Sequence, residues 1–147
     1  MKKIVVLWGF LSTLLFGVNL DWPNNYEVAL QEAKKENKSV YMLITSQDCR
    51  WCRKFENTTL QEEIVIGKLK EKYILLHVDR DKDAFPNKFK RERVPRHYFI
   101  KANGDVIYSF LGYWDREDFF SFLREVEKRY EKIQQNEGEK NEIRTNK

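Results

Sequence analysis

Two cysteines, Cys49 and Cys52, stand three positions apart and are the only thiols in the 147-residue chain. That spacing serves three chemistries: reversible thiol–disulfide exchange, half of a metal site, or an inert local crosslink. Exchange requires a thiolate, which is the attacking species, and a second sulfur close enough to displace the product. Residues three apart on a helix share a face about one turn apart, so Cys49 can attack and Cys52 can resolve. A helix beginning at Cys49 would also favour negative charge on its sulfur, because the first backbone N–H groups lack carbonyl partners and the helix dipole is positive there. Arg50 and Arg53 would reinforce that effect and Asp48 would oppose it, for a net expected shift below the free-cysteine pKa of about 8.5. Cys49, in the first turn, is expected to be exposed, and Cys52 to be shielded. Zinc usually needs four ligands, and only His77 and His97 could complete a set. Each falls in an apolar strand pattern that an ordinary sheet residue explains, so neither a metal nor another cofactor is expected.

The elements around the pair follow from periodicity. Asn24 or Asn25 can cap a helix carrying Tyr26, Ala29, Leu30 and Ala33 at helical spacing, ending near Asn37 or Lys38. Residues 39–45 contain Val40-Tyr41-Met42-Leu43-Ile44, the continuous apolar run of a buried strand. The cysteines follow at once, where a strand hands over to a helix reaching about Asn57. A further helix over 61–72, a buried strand over 73–78 and a short helix over 84–89 are expected. Strands over 96–100 and 106–111 flank Asn103-Gly104, two residues that tolerate positive φ and so mark a hairpin. Asp115 caps a last helix with Phe119, Leu123, Val126, Tyr130 and Ile133 as its stripe; Phe119, Phe120 and Phe122 read as core. A parallel βαβ unit joined to an antiparallel hairpin implies an α/β fold, one mixed sheet with helices on both faces.

Hydrophobic residues make up 41% of the chain and aromatics 14%, enough for the core of one domain. Of the net charge of +4, Lys2 and Lys3 supply two, leaving +2 with acids and bases interleaved. That pattern excludes a nucleic-acid-binding stripe. Lys2, Lys3 and the apolar run from Ile4 to Val18 follow the export pattern, so residues 1–20 are expected to be a signal peptide or an N-terminal anchor. The chain then reads as a periplasmic domain over 21–133, touching a membrane only if that segment is retained. Residues 134–147 lack apolar anchors and are expected to be disordered.

A strand running into "DCRWCRKFENTTL", the preceding helix "YEVALQEAKKENK", Val94-Pro95 before the hairpin and Gly112 before the last helix resemble the thioredoxin superfamily. Within it, they look most like exported proteins similar to the soluble reducing domain of thiol–disulfide interchange proteins. The resemblance implies a thioredoxin-like fold, Cys49 as attacking and Cys52 as resolving cysteine, and Pro95 as a cis proline beside the disulfide. It also places Val94 where the backbone pairs with a bound peptide. Two positions depart from thioredoxin: Leu43 stands where it buries an acid, and Arg96 follows the proline in place of threonine. Trp51 is expected on the substrate face, while Arg91, Arg93 and Arg96 either steer acidic partners or form a solvated rim. The expected partners are protein thiol or disulfide substrates and a redox partner protein. The competing readings are a non-catalytic peptide-binding adaptor or chaperone, and a metal-delivery protein.

Overall fold

The computed structural model describes residues 22–89 and 93–145. The expected export segment and Arg91 lie outside these residues. In chain order the elements are helix α1 (Tyr26–Glu36), strand β1 (Ser39–Thr45), helix α2 (Arg50–Asn57), helix α3 (Glu63–Lys72), strand β2 (Tyr73–Asp79), strands β3 (Arg96–Ile100) and β4 (Val106–Leu111), and helix α4 (Arg116–Thr145). One-turn 3₁₀ helices occupy Thr59–Gln61 and Asn87–Phe89. The first takes Gln61, expected as the first residue of the helix over 61–72, and the second is all that forms of the helix expected over 84–89.

The four strands form one mixed sheet in the order β2-β1-β3-β4. β1 runs parallel to β2, and β3 runs antiparallel to both β1 and β4. β1 is buried from Val40 onward because both its faces are covered. Tyr41 and Leu43 join Phe55 of α2, Val65 and Leu69 of α3, and Phe119 and Val126 of α4 on one face. Val40, Met42 and Ile44 join Tyr26, Ala29 and Ala33 of α1, with Phe89, on the other. Each large side chain so enclosed stabilises the fold by roughly 1.5–3 kcal/mol relative to exposure.

The caps are local and legible. The Asn25 side chain accepts the Val28 N–H at 3.0 Å, and Asn37 closes α1 in the left-handed conformation, φ 52°. Asp115 accepts the Asp118 N–H at 3.0 Å at the start of α4. In the hairpin only Gly104 has positive φ, at 91°; Asn103 instead accepts the Asp105 N–H through its side chain. The turn closes through Gly104 N–H to Lys101 O, making a three-residue loop rather than the two-residue turn its Asn-Gly suggested.

The structure corrects the expectation for the C-terminal segment. Residues 134–147 were expected to be disordered, yet α4 continues unbroken from Ile133 to Thr145. A helix already anchored by Phe119 and Val126 needs no further apolar contact to propagate through Gln, Glu and Lys, which are good helix formers. Glu137 also pairs with Lys101 at 2.6 Å. Among the described residues, no helix is long and apolar enough to cross a membrane.

Candidate active site

The sheet delivers the cysteines to one edge of the molecule. After β1 the backbone turns through Ser46, whose carbonyl accepts the Cys49 N–H at 3.3 Å, and Arg53 clamps the same turn by donating to the Gln47 carbonyl at 2.6 Å. Cys49 is therefore the N-cap of α2, one position before its first turn. Its Sγ accepts the Cys52 N–H at 3.0 Å, where a capping serine would place its oxygen. A thiolate there would accept the same bond more strongly than a neutral sulfur. The Val94 carbonyl, 3.6 Å from the same sulfur, favours a protonated thiol and acts in the opposite direction; the N–H is the closer partner.

Cys49 and Cys52 are joined by a disulfide, with Cα atoms 5.2 Å apart. Cys52 is 1% exposed, as expected, because α2 turns it inward beside Phe55. Cys49 is 9% exposed, less than its place at the helix start suggested, because Val94 and Pro95 lie against it. The Val94–Pro95 peptide bond is cis.

A groove of about 750 Å³ opens beside Cys49. Trp51 and Tyr113 line it side by side, their ring centroids 5.9 Å apart, and Trp51 is 47% exposed. Arg50 lies over the Trp51 ring at 4.9 Å and Lys54 over the Tyr113 ring at 4.3 Å. The loop bearing Tyr113 is pinned to the α2–α3 connection: buried Thr59 donates to the Trp114 carbonyl at 2.7 Å, and Arg116 meets Glu62 at 2.8 Å. Gly112 donates to the Pro95 carbonyl at 2.9 Å and adopts φ 107°, a conformation that disfavours a side chain.

Beneath the groove His97 is fully buried, stacked on Phe110 with centroids 4.4 Å apart. The Gly112 carbonyl can only accept, so His97 Nε2 donates to it at 2.9 Å, and Nδ1 accepts from the Tyr41 hydroxyl at 2.8 Å. Burial lowers the His97 pKa to about 3, against the Gly112 bond, which raises it, and with Arg96, which lowers it further. His77 contacts Thr45 Oγ1 at 2.8 Å and Glu56 at 3.3 Å. The two imidazoles that could have completed a metal site are thus engaged elsewhere.

Of the residues expected at the site, Cys49, Asp48, Arg50, Trp51, Val94 and Pro95 line the groove. Arg53 does not; its guanidinium holds the Gln47 turn. Tyr113 and Lys54 escaped the sequence reading. Tyr113 was recoverable from register, because a hairpin turning at Gly104 sets Leu111 opposite Arg96 and so brings the next two residues back to Pro95.

Residues 26–127 match the thioredoxin-like domain family. Spermatogenesis-associated protein 20 of Mus musculus is 34% identical over 62 residues, 42% of this chain and 8% of that protein, so the chain spans a small part of this curated relative. The structure described as DsbH oxidoreductase superposes with a TM-score of 0.59 at 21% identity, covering 75% of this chain and 85% of that one. The solution structure of a thioredoxin from Thermus thermophilus gives 0.61 at 21% identity, covering 71% and 84%. These superpositions agree with the α/β fold that the strand order requires. The family match spans well over half of the sequence and brackets both cysteines, Pro95 and Gly112, and on it the chain belongs to the thioredoxin-like domain family.

Proposed function

We propose that this protein is a periplasmic thiol–disulfide oxidoreductase that reduces protein disulfides through Cys49 and Cys52. The observation that carries the reading is the Cys49 sulfur at the N-cap of α2, accepting a backbone N–H at 3.0 Å beside an open groove. In the reduced protein the Cys49 thiolate attacks one sulfur of a substrate disulfide. A Cys49–substrate bond forms, and the first substrate sulfur leaves as a thiolate that takes up a proton. Cys52, deprotonated, then attacks Cys49 Sγ and releases the second substrate sulfur. The substrate gains two electrons, and the protein is left in the disulfide state seen here. A partner dithiol returns it to the reduced state, and the sulfurs carry the electron pair without a cofactor. The export-like residues 1–20 support a periplasmic location. The likeness of "DCRWCRKFENTTL" to reducing domains supports the direction.

Insulin reduction in the presence of a dithiol donor tests the reading. Cys49→Ser should fall to the uncatalysed rate, and Cys52→Ser should accumulate a covalent mixed disulfide with the substrate. Activity surviving both substitutions would contradict catalysis and leave a peptide-binding adaptor as the reading.

A further inference from the structure

The groove beside Cys49 carries an uneven charge. Arg50, Arg80 and Arg93 line it against one acid, Asp48, and Lys54 adds a fourth cation where it overhangs Tyr113. Arg80 is paired with Asp81 at 3.4 Å. Arg50 and Lys54 lie on the Trp51 and Tyr113 rings, and among the described residues no carboxylate pairs with them or with Arg93. This concentration is local, since the chain beyond Lys3 carries only +2. Stacking on a ring leaves a guanidinium edge or an ammonium able to donate outward while fixing where it sits. The same two rings offer an apolar strip between the cations.

We propose, resting on the exchange reading above, that the groove selects substrate segments whose cysteine is flanked by aspartate or glutamate, with an apolar side chain against the Trp51–Tyr113 strip. An extended segment crossing Cys49 would set carboxylates against Arg50 and Lys54 on one side and Arg93 on the other. A basic segment would meet the like charges of Arg50, Lys54 and Arg93 there, and a repulsion of this kind discriminates more sharply than attraction alone.

The test is binding of two fluorescent peptides of equal length to the full chain, each with serine in place of the reactive cysteine, one flanked by Glu and the other by Lys. At low ionic strength the Glu peptide should bind roughly 10-fold tighter or more. That preference should collapse at about 1 M salt, where the screening length is about 3 Å. Lys54→Glu and Arg93→Glu, both at exposed positions, should erase or reverse it while circular dichroism stays that of the parent. Equal affinity of the parent for both peptides, or a preference indifferent to salt, overturns the inference. Insulin reduction on the same preparation separates the two claims: lost exchange with the preference intact refutes the exchange reading, and intact exchange with equal affinities refutes acidic selection.

Discussion

His97 shows how one side chain can tie the site to the core. Its Nε2–H holds the Gly112 carbonyl, and Gly112 in turn donates to Pro95, so the groove wall facing Cys49 is braced from inside the sheet. The native state keeps this imidazole neutral down to a pKa of about 3, whereas in the unfolded chain it titrates near 6.5. Between those values the unfolded chain binds the extra proton, so stability is fully present above about pH 6.5 and declines as pH falls. The His97 contribution to the slope is up to about 1.4 kcal/mol per pH unit. Urea unfolding of the parent and of His97→Phe at pH 7 and pH 4.5 checks this. The variant should be less stable at pH 7 by roughly 1–3 kcal/mol, from the unpaired Tyr41 hydroxyl and Gly112 carbonyl, but should lose less on acidification. Equal losses in both proteins would contradict the assignment. The sequence marks His97 as a strand residue but hides its partners, which lie 56 and 15 positions away and are joined to it only by sheet pairing.

Elements whose formation depends on neighbouring residues were the most readable. Asn25 and Asp115 cap helices where their types suggest, and Asn25→Ala should cost about 1 kcal/mol in chemical denaturation, since it removes the acceptor for Val28 N–H. At the hairpin, Gly104→Ala should cost about 1–2 kcal/mol. It forces a side chain into φ 91° and sets a new Cβ 3.3 Å from the Tyr26 hydroxyl, whereas Asn103→Ala, with no positive φ to satisfy, should cost less. Comparable losses for the two would argue against the bulged three-residue loop. The run Val40–Ile44 was legible as a buried strand because an element covered on both faces has little place for polar residues. The extension of α4 was not, because apolar spacing reports where a helix is anchored and not how far it runs beyond the anchor.

The domain as a unit is a two-faced sheet that presents one sulfur at one edge. Both cores lie before Ile133 in sequence, and the described side chains beyond it are exposed. Deleting residues 134–147 removes the Lys101–Glu137 pair and little else that is buried, so stability should fall by about 1 kcal/mol or less, read as a small change in the urea midpoint. Unfolding of the shortened chain would contradict this. The fold class could be argued from strand order and the cysteine spacing, since few layer arrangements accommodate a βαβ unit and a hairpin in one sheet. The rim was legible in part: Trp51, Arg50 and Arg93 were expected near the site, but the meeting of Lys54 with Tyr113 was not, because it joins α2 to the segment beyond β4, far apart in sequence. The proposed exchange chemistry depends on Cys49 ionising readily at the start of α2. The most direct measurement is the rate of alkylation of the reduced protein against pH, followed at each cysteine by mass spectrometry. Cys49 should titrate below the free-cysteine value of about 8.5 while Cys52 stays protonated to higher pH; two indistinguishable titrations near 8.5 would contradict a helix-activated nucleophile.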